Sequence, residues 1–259
     1  MDQPGALGQT IVRGMAVLRA FRSDRSPLTN AELVRRTGLS KATVSRMTST
    51  LVQLGYLRPA PGRRGFELAA GALGVGHAYL ETSELVRVVQ PYLEQLVQRL
   101  EVSAALAVPD GLDMVNIAYS ASAAVATLRL GVGSMLPMAK SAIGRAYLWS
   151  LPANEQQGLL ARLRQQAGEQ GDAIAAGLRT SFAELEATGV CCVASAVLRD
   201  TFGFALPLRL GRQGVRLAMS CGRAACAPDL QAERRRIEPV LRQTAAEMQR
   251  DLAHVDALP

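Results

Sequence analysis

Lys41, Thr43, Ser45, Arg46 and Ser49 place hydroxyl donors and positive charge at helix-compatible spacing within LTNAELVRRTGLSKATVSRMTSTLVQL, residues 28–54. Such a set can meet a polyanion: phosphate oxygens accept from Lys, Arg and hydroxyl donors, and base edges accept bidentate Arg. Coiled into a helix, Val44, Met47, Leu51 and Leu54 fall on one stripe. Ala42, Ser45, Arg46, Ser49 and Gln53 fall on the opposite face. Two further cations, Arg63 and Arg64, follow in the turn-forming run PAPGRRG.

The surrounding residues supply what would hold that face in place. Thr29 with Glu32 three residues on has the capping-box spacing, and Gly38 is a left-handed stop for the first short helix. Leu39 plugs the corner and Ser40 caps the second helix. Two short helices joined by a tight turn make a helix-turn-helix, whose second helix suits a DNA major groove. Ahead of it, Thr10–Arg22 puts Ile11, Met15, Leu18 and Phe21 or Val17 on one face, a helix expected to pack beneath, and Ser23–Pro27 reads as a loop. Behind it, Tyr56–Arg58 and Gly65–Leu68 flank the Arg63–Arg64 tip as a two-stranded hairpin. The order is that of a winged helix. The candidate DNA contacts are Thr29, Ser40, Lys41, Thr43, Ser45, Arg46 and Ser49, joined by Arg63 and Arg64 at phosphates or the minor groove.

Charge follows the same division. The chain has 259 residues and a formal net charge of +7. Residues 1–83 hold eleven Lys and Arg against five Asp and Glu, so +6 of the total lies in the first third. A basic segment on a nearly neutral remainder is the footprint of a DNA-binding domain joined to something else.

The remainder reads as a mixed α+β domain. Residues 70–83 form a linker helix weakened by Gly71, Gly74 and Gly76, and a stronger helix opens at Ser83 or Glu84. Strands are expected near 104–108 and 115–119, with a turn at Pro109–Gly111, and a further one at Leu128–Leu130. A glycine-rich loop at Gly131–Pro137 leads into a helix over 139–150, and helical patterns recur near 154–166 and 172–188. Strands near 190–195, 203–210 and 214–221 precede a long helix from about 228 to 252. The expected division is 1–69, 70–83 and 84–259.

Other chemistries find little support. No run of about eighteen apolar residues marks a membrane span, and MDQPGALGQT lacks the basic and apolar regions of a secretory leader. All four cysteines lie between 191 and 226 without a disulfide framework, so a reducing cytoplasm is the expected compartment. Cys191 and Cys192 would point to opposite faces of a strand, and the two histidines, His77 and His254, sit in the linker and the tail. No metal-ligand set, cofactor motif, nucleophile elbow or P-loop is present, which argues against an enzyme.

With these residues in place, the chain resembles the isocitrate lyase regulator (IclR) family of bacterial transcription factors. AELVRRTGLSKATVSRMTSTLVQLGYL carries the first match, GSMLPMAKSAIGRAYLWSLP the second, and FGFALPLRLGRQGVRLAMSCG a third. Together they span from about Thr10 to Leu252. The resemblance implies a winged helix followed by a GAF-like domain that binds a small metabolite. It also implies a homodimer or homotetramer on double-stranded operator DNA, answering to a small organic or aromatic acid.

For that acid the residues offer a mechanism. The first turn of a helix leaves backbone amides free, so the region of Ser141, Ala142 and Ile143 can hold a carboxylate. Leu136 and Met138 would supply apolar wall, and the resemblance places Val193, Gly203, Met219 and Cys221 on facing strands. Where the family tends to polar side chains, this chain has apolar ones, which favours an aromatic or longer-chain carboxylate. A second reading keeps the winged helix for protein contacts in a cytosolic ligand or redox sensor. The N-terminal charge excess favours DNA over that alternative.

Overall fold

The computed structural model describes residues 6–22, 27–125, 130–194 and 196–255. The Ser23–Pro27 loop, apart from Pro27, and the Leu128–Leu130 strand, apart from Leu130, lie outside the described residues. The chain divides into two compact units, Met1–Thr82 and Ser83–Pro259.

The first unit contains α1 (Ala6–Arg19), α2 (Asn30–Thr37), α3 (Lys41–Gln53), β1 (Leu57–Pro59), β2 (Phe66–Leu68) and α4 (Ala70–Thr82). Its core gathers Val17, Leu28, Leu33, Val44, Met47, Leu51 and Leu57. The strands pair antiparallel, with Arg58 opposite Glu67, and a bridge between Leu28 and Phe66 ties the segment before α2 to the hairpin. Two expectations need correction. On α1 the buried residue is Val17, with Ala20 buried just past its end, while Ile11 is 70% and Met15 51% exposed, because the small core covers only the C-terminal half of the helix. On α3 the stripe ends at Leu51; Leu54 is the C-terminal cap and is 63% exposed. The turn between α3 and β1 anchors the start of α4 through the Gly71 amide on Gly55 O at 3.2 Å, yet α4 itself buries no residue.

The second unit contains α5 (Glu84–Leu100), β3 (Ser103–Asp110), β4 (Asp113–Ala121), β5 (Met135–Pro137), α6 (Ala142–Trp149), α7 (Ala153–Ala167) and α8 (Gly171–Thr188). It continues with β6 (Cys191–Ala194), β7 (Thr201–Leu210), β8 (Val215–Ala224) and α9 (Leu230–Asp251). The strands form one sheet in the order β5-β4-β3-β8-β7-β6, and every recorded pairing is antiparallel. Three boundaries differ from expectation. Pro109 belongs to β3, and the turn is made by Gly111 and Leu112. The end of the glycine-rich loop, Met135–Pro137, is a strand held to β4. The helix expected from 139 begins at Ala142, after a turn at 138–140.

Side-chain size differs between the two faces of the sheet, following the alternation of a strand. Toward α5 and α9 point Leu106, Phe202, Phe204, Leu206, Leu208, Leu217 and Met219. The other face, under α6 and α8, carries Ala105, Ala107, Ala205 and Ala218. Large residues fill one layer; small ones on the other let α6 sit close to the sheet and leave open volume beside it. The β3–β4 register slips once: Leu106 pairs with Ala118 but Ala107 with Asn116. Ile117 is the extra residue of a bulge.

Candidate functional site

The helix-turn-helix is built by its caps. Thr29 Oγ1 accepts the Glu32 amide at 3.2 Å, and Gly38, at φ 70°, donates its N–H to Val34 O at 2.9 Å. That left-handed position suits glycine because it has no Cβ to clash. Ser40 Oγ then accepts the Thr43 amide at 3.3 Å to open α3. The buried Thr48, which the apolar stripe had not included, donates its hydroxyl to Val44 O and lies 3.4 Å from Asn30 Oδ1 on α2. The Thr48–Asn30 approach is a polar contact between the two helices beside their shared apolar core.

Electrostatics then separate committed from available cations. The Glu32 carboxylate takes Arg35 at 2.5 Å and Arg36 at 2.8 Å, and Arg36 also reaches Ala20 O at 2.9 Å. Those guanidiniums, Arg35 first, hold the Glu32 carboxyl down at about 2. Arg58 is matched by Glu67 at 3.1 Å. Lys41, Ser45, Arg46 and Ser49 are exposed on α3, as are Arg63 and Arg64 at the hairpin tip. Among the described residues, Lys41, Arg46, Arg63 and Arg64 have no carboxylate partner. Thr43 is half-buried and lies 3.0 Å from Ser40 Oγ, so these two hydroxyls are partly spent on the cap. Arg46 and Lys41 dominate what this face can offer an anion.

The second candidate site is a cavity of about 100 Å³ in the second unit, between the small-residue face of the sheet and the start of α6. Ser141 caps α6: its Oγ accepts the Gly144 amide at 3.2 Å and donates to Pro137 O at 2.9 Å. A Cβ at Gly144 would stand 2.2 Å from Met138 O, so only glycine lets the helix close on the preceding turn. No acceptor among the described residues takes the amides of Ala142 and Ile143. Arg145 fixes the helix from its far side, donating to Ala139 O and Gly177 O at 2.9 Å and to Ser181 Oγ at 3.0 Å. Burial pulls its pKa down.

Of the residues expected around an acid, Leu136, Ser141, Ala142, Ile143, Val193 and Gly203 border this cavity. Met138 and Met219 do not: both are fully buried, Met138 in the core beneath α6 and Met219 in the α5–α9 layer. Cys221 borders the cavity from its strand but its side chain joins that same opposite layer. The reason is parity: Met219 and Cys221 follow Leu217 at a period of two, so Ser220 and Gly222 are the β8 residues on the cavity side. Sequence reasoning also missed Lys140, Asn116, Tyr119 and Ser103, which line it. Only Lys140 carried a signal, as a cation next to a helix start. The thiols of Cys191 and Cys192 are pushed up by burial to about 12 and 11, and Cys191 donates to Ala142 O at 3.5 Å.

Known proteins agree with both units. The model of the IclR helix-turn-helix domain matches residues 10–61, and that of the bacterial transcriptional regulator IclR C-terminal domain matches 77–250. The chain is similar to the HTH-type transcriptional regulator TsaQ1/TsaQ2 of Comamonas testosteroni, 32% identical over 77% of this chain and 72% of that protein. It is 35% identical to the Pca regulon regulatory protein of Pseudomonas putida over 54% of this chain, a match spanning 47% of that relative. A solved IclR family transcriptional regulator from Brucella abortus superposes with a TM-score of 0.79 at 32% identity, covering 94% of this chain and 91% of the other. With the capped, basic helix-turn-helix and the six-stranded sheet domain both accounted for, the chain belongs to the IclR family of bacterial transcription regulators.

Proposed function

We propose that this protein binds double-stranded operator DNA as a homodimer or a dimer of dimers, and that a small organic acid in the sheet cavity sets its affinity. The observation that carries the reading is the outward face of α3, where Lys41 and Arg46 lack carboxylate partners among the described residues while nearby Arg35 and Arg36 are paired. Ser45, Arg46 and Ser49 read base edges. Thr29, Ser40, Lys41 and Thr43 hold phosphates around the helix starts, and Arg63 and Arg64 meet the backbone or the minor groove. In this reading residues 1–69 bind DNA, 70–83 link, and 84–259 bind effector and partner copy.

The acid is held by its carboxylate on the Ala142 and Ile143 amides, with Lys140 beside them, and by its apolar body against Leu136, Ile143 and Val193. A volume of about 100 Å³ is less than the roughly 150 Å³ that accommodates a benzene ring. A benzoate-class acid therefore enters with an outward shift of the exposed 196–200 rim. Such a ligand changes DNA affinity only by binding the two DNA-affinity states unequally. The chain acts in the cytoplasm and is not an enzyme; among the described residues no helix is long and apolar enough to cross a membrane.

The test is retardation of the protein's own upstream promoter fragment, with and without a panel of aromatic and aliphatic acids. Specific retardation altered by an aromatic acid supports the proposal. Retardation no stronger than on unrelated DNA refutes it.

A further inference from the structure

Helices α7 and α8 are joined by the short turn Gly168–Gln170 and pack against each other. Each turns an apolar stripe toward the other at helical spacing: Leu160 and Leu163 on α7, Ile174, Leu178 and Phe182 on α8. Two such stripes could close into a core. Instead they line a groove of about 290 Å³, in which Leu163 and Leu178 are buried while Leu160, Ile174 and Phe182 stay half-buried. Ala175, which faces the same groove, is too small to fill it. The groove shares no lining residue with the sheet cavity.

Its charge is one-sided. The lining holds two guanidiniums, Arg164 and Arg179, and no carboxylate. Both are exposed at the rim. Arg164 is met only loosely, by the fully exposed Asp172 at 3.7 Å, and Arg179 has no hydrogen-bond or ion-pair partner among the described residues. Shape narrows the occupant further. The lining runs from Gln156 to Arg164 and from Ile174 to Phe182, a length of about 12 Å on either helix at 1.5 Å per residue. A compact ring would leave part of that length empty. A peptide would bring backbone amides that the apolar floor cannot satisfy, since the Gln156 amide already donates to Leu148 O at 2.9 Å.

We infer that the α7–α8 groove is a second ligand site, and that its occupant is a linear acyl chain ending in one carboxylate. The chain lies along Leu160, Leu163, Leu178 and Phe182, and the carboxylate meets Arg179 and Arg164 at the rim. The volume is about twice the roughly 150 Å³ that holds a benzene ring. This inference does not depend on the acid-binding reading of the sheet cavity.

Calorimetric titration of the full chain with octanoate, below its aggregation concentration, and with 1-octanol tests it. Octanoate should bind saturably and about threefold tighter than the alcohol, the return on an exposed charge pair. Ala175→Phe, which puts a ring into the groove, should weaken octanoate about tenfold. Arg164→Gln with Arg179→Gln should erase the preference for acid over alcohol. Being a surface change, it remains decisive should the Ala175 variant fail to fold. Absence of saturable octanoate binding, or binding and preference that survive these substitutions, overturns the inference. So does an altered assembly mass of Ala175→Phe by light scattering, because a second copy of the chain would then be what covers the groove.

Discussion

Ser141 and Gly144 form a single joint: the serine hydroxyl accepts the glycine amide at 3.2 Å while donating to Pro137 O at 2.9 Å. One side chain thus ties the first turn of α6 to the end of β5, and the missing Cβ at Gly144 lets that turn close on Met138. Ser141→Ala is expected to cost about 1 kcal/mol, the usual loss of an N-terminal cap. Gly144→Ala is expected to cost about 3 kcal/mol or more, because the clash is with backbone and no rotamer relieves it. Thermal and urea unfolding of the two variants measure this; a smaller effect for Gly144→Ala than for Ser141→Ala contradicts the joint.

The Glu32 cluster gives a pH signature. Hydrogen bonds from Arg35 and then Arg36 lower the folded-state pKa to about 2, below the ordinary carboxylate value of about 4.3. A depressed carboxyl contributes stability that is present above its unfolded pKa and lost as pH falls toward the folded one. The melting temperature should therefore drop between about pH 4.5 and pH 2, with a component that Glu32→Gln removes. The pair is exposed, so this component is small and shrinks with added salt. An identical acid profile in wild type and variant contradicts the assignment.

Burial, not chemistry, governs the cysteines. Cys191 and Cys221 are buried, Cys192 is half-buried, and Cys226 is exposed. A maleimide reagent at neutral pH should modify Cys226 alone in the folded protein and all four thiols after denaturation. Peptide mass mapping reads the sites. Rapid modification of Cys191 or Cys192 in the native state would point to a reactive pair and favour the redox-sensor alternative.

The proposed assembly draws on α4, which buries none of its side chains within the chain and leaves Leu73 at 74% and Val75 at 61% exposure. A helix carrying three glycines gains little from propensity alone and needs packing to persist. Light scattering at micromolar concentration should give a dimer or a tetramer. A monomer mass there removes the two-fold reading of the operator.

The parts legible in the sequence were those specified locally. Thr29, Gly38 and Ser40 announce the helix-turn-helix because each acts within four residues of itself, and the Arg63–Arg64 tip is enclosed by its own turn formers. What the sequence concealed depends on partners distant along the chain. Ile11 and Met15 match a helical stripe, but how far the core reaches along α1 is a property of the whole unit. Met219 and Cys221 were set on the wrong side of β8 by one residue of parity, which only pairing with β3 and β7 fixes. The bulge at Ile117, and with it the shared face of Asn116 and Tyr119, is written in the β3–β4 register and in no local pattern.

The central claim, that the exposed face of α3 reads DNA, is tested most directly by fluorescence anisotropy on the promoter fragment and on unrelated duplex, for wild type, Arg46→Ala, and Arg63→Ala with Arg64→Ala. Arg46→Ala should lose about 1–3 kcal/mol on the promoter and relax its preference over unrelated DNA. The double variant should weaken both duplexes alike and flatten the dependence on salt. Promoter affinity and preference unchanged in a folded Arg46→Ala protein would contradict the placement of α3 in the groove.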